Sequence, residues 1–168
     1  MKTIILPGYS PHNKDWAEET KSKLHLGHEI IVHNWLHWTK GSFSLSRELD
    51  SILKIFEKEK INIVAKSVGT RVAMYLITKN PNQMNKLILC GIPTKGESKV
   101  AKKSYSEGLS LLSPSQVIVY QNNKDPFANF AEIKKFISSI NPKIKVVRKS
   151  RSDHQYPYSS DFQKFLTK

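Results

Sequence analysis

A serine hydroxyl becomes a nucleophile when a neutral imidazole takes its proton and a carboxylate holds that imidazole in the right tautomer. The chain carries these three residue types at turn positions that follow apolar runs: Ser67, Asp125 and His154. Ser67 ends the run INIVAK and opens VGTRVAMYL, where apolar residues recur at helical spacing. A strand, a sharp turn and a helix are therefore expected, with the hydroxyl raised at the turn and a helix N-terminus aimed at it. Asp125 follows VIVYQNNK and precedes Pro126. His154 follows VVRKSRSD.

Each residue also has a purely structural reading. Ser67 suits a helix N-cap, NNKDP is a good turn sequence in its own right, and His154 suits a surface loop. Asp153 is a nearer acid to His154, but an adjacent residue cannot easily reach Nδ1 of its neighbour's ring. Of the six histidines, His154 alone lies late enough to complete the order Ser, Asp, His. His33 and His37 are four apart, but no acid or cysteine stands beside them at ligand spacing, so no metal site is expected. Trp35, Trp38 and Phe43 are expected to line a pocket or to pack.

The elements that must position these residues alternate. Strands are expected at residues 3–6, 29–33, 61–65, 86–90, 116–120 and 144–148. Helices are expected at 14–24, 45–58, 68–78, 130–140 and 159–166. Residues 100–112 read as partly helical and irregular, and Gly27 as the residue just past the first helix. Such alternation implies a parallel sheet covered on both faces, with the site at the carboxyl ends of its strands. The fold class is α/β, a three-layer α/β/α sandwich in one domain spanning residues 1–168.

This combination resembles the α/β-hydrolases of the small, cap-poor type, among them the retinoblastoma-binding-protein kind of serine hydrolase. The resemblance covers the whole chain: LPGYS after the first strand, AKSVG at the nucleophile turn, NNKDPF at the acid turn and the late histidine. It implies the family sheet without its first two strands, in the order 2-1-3-4-5-6. It implies catalytic roles for Ser67, Asp125 and His154, and an oxyanion hole from the backbone amides of Val68 and Tyr9. The family turn is Gly-x-Ser-x-Gly; here Ala65 stands in the first place, one methyl group larger. Residues 94–114 occupy the place of the family's cap and are too few for a large lid. The implied activity is carboxylesterase-like hydrolysis of a small-molecule ester, thioester or amide through an acyl-enzyme, with no cofactor. The alternative from another class is a catalytically weak protein of this fold that acts as a binding module. A nucleotide-binding domain is disfavoured because PGYSPHNKD lacks a glycine-rich phosphate cradle.

Composition bounds the remaining classes. A mean hydropathy of −0.43 and strand-sized apolar runs argue against a membrane protein. Residues 4–6 are cut off by Pro7-Gly8, so the start reads as a strand rather than a secretory leader. The lone cysteine, Cys90, makes a packed apolar residue, and a cytoplasmic location is the default. Lys and Arg total 27 against 14 acids, a net charge of +13. The basic residues are spread over several helices with no nucleic-acid-binding motif, so a nucleic-acid partner is not expected. The basic run at 143–151 alternates with valines, as in an edge strand whose cations face water.

Overall fold

A computed structural model describes residues 1–56, 59–95 and 98–168. Six strands form one parallel sheet: β1 (Lys2–Leu6), β2 (Glu29–Val32), β3 (Ile61–Lys66), β4 (Met84–Cys90), β5 (Val117–Asn122) and β6 (Lys145–Lys149). Their spatial order is β2-β1-β3-β4-β5-β6, the order expected. β3 is buried at every position, as a central strand covered on both faces must be. β6 is an edge strand with Lys145 and Arg148 exposed, which discourages pairing with another chain.

Six helices cover the two faces: α1 (Asn13–Lys23), α2 (Leu45–Phe56), α3 (Val68–Lys79), α4 (Lys99–Ser110), α5 (Phe130–Ile140) and α6 (Ser159–Leu166). Strand alternation sends Ile4, Ile63, Leu89 and Val119 to one face, where they meet α2, α3, α4 and α5. It sends Ile5, Val64, Ile88 and Ile118 to the other, where they meet Trp16 of α1 and Phe162 of α6. Among the described residues, no helix is long and apolar enough to cross a membrane.

Element ends lie within about two residues of those expected, and three differences stand out. Residues 99–110 form a regular helix, not an irregular segment; the Ser98 hydroxyl caps it by accepting from Ala101 N at 3.1 Å. Its buried face mixes Tyr105 and Leu109 with the small residues Ala101, Ser104 and Gly108, which thins the apolar pattern. A Cβ on Gly108 would stand 3.1 Å from Met74 Cα, so α4 approaches α3 too closely for larger side chains. Secondly, α1 ends at Lys23 with Leu24 as its cap, and Gly27, at φ +70°, turns the chain further on. Thirdly, α2 is described to Phe56, and the expected residues 57 and 58 lie outside the described residues.

Candidate active site

Ser67 stands between β3 and α3 with φ 54° and ψ −122°. Among the described residues it is the only non-glycine residue with positive φ. A β-carbon resists that conformation at a cost of about 1–3 kcal/mol, so packing must hold it. Two contacts do. Ser67 N donates to Cys90 O at 3.0 Å, tying the turn to the end of β4. A Cβ on Gly69 would lie 2.3 Å from Leu6 O, so α3 begins directly against the β1 loop and only glycine fits there. The Ser67 side chain makes no capping bond, contrary to the N-cap reading. Ala65 is fully buried in the core cluster, and the turn keeps its strained shape with that methyl in place.

Asp125 and His154 meet across the ends of β5 and β6. His154 Nδ1 lies 2.6 Å from Asp125 Oδ2. The Asp125 carboxylate also accepts from Tyr156 Oη at 2.6 Å and, through Oδ1, from Phe127 N at 2.8 Å. Burial pushes the Asp125 carboxyl upward, but the hydrogen bonds from His154 and Tyr156 outweigh it and hold the group below its usual range. With Nδ1 donating to this carboxylate, Nε2 presents a lone pair. His154 Nε2 is buried and has no hydrogen-bond partner. Asp153 turns away, pairing with Arg151 and accepting from Gln155 N.

The imidazole sits at the end of β4, the strand next to the one that leads to Ser67. A Cβ on Gly91 would come 2.8 Å from His154 Cε1 and 2.6 Å from Tyr156 Cε2. Gly91 follows Cys90, whose carbonyl holds Ser67, so ring and serine flank the same turn of backbone. Phe127, half exposed, packs edge-on against the ring at 4.6 Å between centroids. Asn122 then brackets His154, its Nδ2 donating to Asp153 O and Gln155 O, each at 2.8 Å.

The loop after β1 is pinned from the β2 side. Trp35 is fully buried and donates Nε1–H to Gly8 O at 3.0 Å. Trp38 donates to Tyr9 O at 2.7 Å. The Gly8–Tyr9 peptide is trans, so its N–H points opposite to the carbonyl that Trp35 holds. Tyr9 N–H therefore faces away from the Trp35 side of the loop. Val68 N lies at the first turn of α3, where backbone donors lack helical partners.

Lys66, the residue before Ser67, was not anticipated. It is 1% exposed, and its Nζ donates to Asn13 Oδ1 at 2.7 Å and Gln155 Oε1 at 3.3 Å above the Trp16 ring. Burial lowers its pKa to about 8, with Cys90, Asp125 and Asp153 pulling partly the other way. Asn13 also donates to Ser10 O at 3.0 Å, so Lys66 joins the β1 loop to the histidine loop. Tyr156, Asn122 and Gly91 likewise escaped the sequence reading. The one usable signal was Gly91 directly after an apolar strand.

His33 is not solitary either. Glu48, fifteen positions away on α2, places Oε2 2.8 Å from its Nε2, and both are buried. Among the described residues no group of three His, Cys, Asp or Glu side chains is placed to hold a metal ion.

Residues 42–164 match the family described as alpha/beta hydrolase domain. A 2-hydroxy-6-oxononadienedioate/2-hydroxy-6-oxononatrienedioate hydrolase of Paraburkholderia xenovorans is 29% identical over 121 residues, 65% of this chain and 42% of that protein. A similarly named hydrolase of Dechloromonas aromatica is 28% identical over the same shares. The chain thus spans about two-fifths of the length of these curated relatives. An alpha-beta serine hydrolase homologue from Coxiella burnetii superposes with a TM-score of 0.74 at 17% identity, over 99% of this chain and 83% of that one. A serine hydrolase without lid from Xanthomonas campestris gives 0.72 at 16% identity, over 98% and 78%. With most of its length matched to the family, a parallel sheet in the order β2-β1-β3-β4-β5-β6 and a strained serine turn at the end of β3, the chain belongs to the alpha/beta hydrolase domain family.

Proposed function

We propose that the protein is a serine hydrolase that cleaves a small ester, thioester or amide through an acyl-enzyme. The observation that carries this reading is the state of His154: its Nδ1 is locked on a buried carboxylate, its Nε2 is left unpartnered, and its ring lies against Gly91, next to the Cys90 carbonyl that holds Ser67 N. His37 also has a buried unpartnered nitrogen, but its other nitrogen meets the Tyr9 carbonyl; His154 joins a free Nε2 to an Nδ1 held by a carboxylate, the pairing a general base needs.

In this mechanism Nε2 of His154 takes the Ser67 hydroxyl proton as Oγ attacks the substrate carbonyl. The carbonyl oxygen gains the negative charge, and the amides of Val68 and Tyr9 hold it. The trans geometry of the pinned Gly8–Tyr9 peptide supports the Tyr9 donor, and the α3 N-terminus supports Val68. Asp125 keeps the imidazolium oriented and offsets its charge. The tetrahedral adduct collapses, the C–O, C–S or C–N bond breaks, and the His154 proton passes to the leaving group. Water then loses a proton to His154 and attacks the acyl-serine; the bond to Oγ breaks, His154 returns the proton to Ser67 and the acid is released.

Tyr9 (55%) and Phe127 (50%), on loops, and Leu36 (40%), on a helical turn after β2, are large apolar residues left exposed at the carboxyl edge of the sheet. An apolar rim around the nucleophile favours an apolar acyl or alcohol group over a strongly charged one. Carboxylesterase-like hydrolysis is the reading these features support.

A fluorophosphonate probe tests it. The wild-type protein should be labelled on Ser67, and Ser67→Ala and His154→Ala should not. Folded wild-type protein that takes no label defeats the proposal and leaves a binding module of this fold.

A further inference from the structure

The protein's excess positive charge is not explained by its proposed chemistry. Part of it gathers at the far end of the sheet from Ser67. There, Lys86 near the start of β4, Lys145 at the start of β6, and Lys164 and Lys168 in and after α6 border a groove of about 560 Å³. That size lies within the range of small-molecule sites.

The groove exists because α6 is short. Eight residues of helix span about 12 Å and cannot cover the full length of β5 and β6. Lys145 and Val147 share a face of β6 through strand alternation, so a cation stands directly beside an apolar floor. Ile118 and Phe165 complete that floor.

The charge around the groove is one-sided. Asp161 is the one acid that lines it, and Lys149 takes its carboxylate at 2.8 Å. Lys86 is held over the Phe165 ring at 5.1 Å, its Nζ donating to Ser115 O at 3.2 Å. Lys145, Lys164 and Lys168 have no acidic partner among the described residues. An apolar floor under unneutralised ammonium groups calls for a ligand with an apolar body and an anionic head.

We infer that this groove binds a free, single-chain anionic amphiphile, such as a medium-chain carboxylate, at a site separate from the serine. The tail covers Ile118, Val147 and Phe165, and the head pairs with Lys145 and Lys164. Nucleic acid fits less well, because the cations surround an apolar hollow rather than tracking along a backbone-width stripe.

Calorimetric titration with decanoate tests the site in wild-type protein, in Ser67→Ala and in the double variant Lys145→Glu/Lys164→Glu. Both lysines are exposed, so the double variant should fold, and its melting temperature checks that. Wild type and Ser67→Ala should bind decanoate alike, and the double variant at least about tenfold more weakly. Decanol should bind more weakly than decanoate to wild type, and raised salt should weaken decanoate binding. The inference fails if decanol binds as tightly as decanoate or if the double variant binds like wild type. It also fails if decanoate does not saturate while vesicles containing anionic phospholipid capture the protein. Fluorophosphonate labelling should be the same in wild type and the double variant, so this site and the serine chemistry stand or fall separately.

Discussion

Two histidine–carboxylate pairs stand among the described residues, and their difference separates structure from chemistry. His33 meets Glu48 at 2.8 Å, and His154 meets Asp125 at 2.6 Å. In the first pair Nε2 faces the acid, and Glu48 spends its other oxygen on Leu36 N at 2.9 Å. That pair staples α2 to the segment after β2. Burial keeps the His33 ring below its ordinary pKa against the pull of Glu48, so it is a neutral hydrogen-bonded bridge near pH 7. In the second pair Nδ1 faces the acid, which leaves Nε2 for a proton beside a strained serine turn. Proximity of acid and imidazole is therefore not the mark of a catalytic pair. Which nitrogen is spent, and what the other one faces, decides it.

Substitutions can break this comparison in opposite directions. The largest effect is expected at the second pair. Asp125→Asn should lower kcat/KM toward nitrophenyl esters by about 10⁴-fold, because the amide no longer selects the tautomer with a free Nε2. Comparable activity in Asp125→Asn and wild type would remove Asp125 from the mechanism. Glu48→Ala should do the reverse. It strands Leu36 N and the His33 ring in the interior and should cost about 1–3 kcal/mol of unfolding free energy by denaturant titration. Its kcat/KM should fall far less than in Asp125→Asn, since the pair reaches the β1 loop only through the segment that carries Trp35 and Trp38. A large loss of activity without loss of stability in Glu48→Ala would erase the distinction.

Tyr156→Phe sharpens the second pair. It removes a 2.6 Å donor to Asp125 and leaves Asn122 N without the acceptor it holds at 3.2 Å. A destabilisation of about 1–2 kcal/mol and a smaller fall in kcat than for Asp125→Asn are expected. The pH sign follows from the depressed Asp125 carboxyl. Its stabilising contribution is present above its ordinary value of 3.8 and is lost as pH falls through the lower folded value. Removing the Tyr156 donor raises the folded value toward 3.8, so acid unfolding of Tyr156→Phe should begin at higher pH than in wild type. A transition at the same pH would show that Tyr156 does not stabilise the carboxylate.

The last effect is confined to alkaline pH and is read as a difference between two curves. Lys66 is held at about 8 in the folded protein against 10.5 when solvated. Between those values the unfolded chain binds more protons, so wild-type stability rises with pH. Relative to Lys66→Met, wild type should gain at most about 3 kcal/mol across that window and nothing further above it. Parallel curves for the two proteins would mean that Lys66 keeps an ordinary pKa despite its burial.

Much of the fold was legible because its signals are local. β3 is a nearly continuous apolar run that ends one residue beyond the expected bound, and α5 and α6 carry clear helical periodicity and run over the expected residues. α4 was only partly legible, because Tyr105 and Leu109 share its buried face with Ala101, Ser104 and Gly108, and small residues signal a core face only when the opposing helix is known. The candidate site divides the same way. Ser67, Asp125 and His154 stood out because each type is chemically distinctive at a strand end. Tyr156 and Asn122 did not, since a tyrosine or asparagine in a loop has many uses, and its hydrogen-bond partner depends on how β5 and β6 are laid side by side.

What the sequence by itself determined is the alternation of strands and helices, the parallel sheet it forces, and the placing of serine, acid and histidine after strands whose carboxyl ends share one edge. These follow from side-chain periodicity and from the rule that parallel strands need crossovers. Only the tertiary structure decided which nitrogen of each histidine meets its carboxylate, that Lys66 is buried against Asn13 and Gln155, and that a short α6 leaves a lysine-bordered groove open. Each of these depends on distances of a few ångströms between segments far apart in the chain, which hydrophobic patterning does not encode.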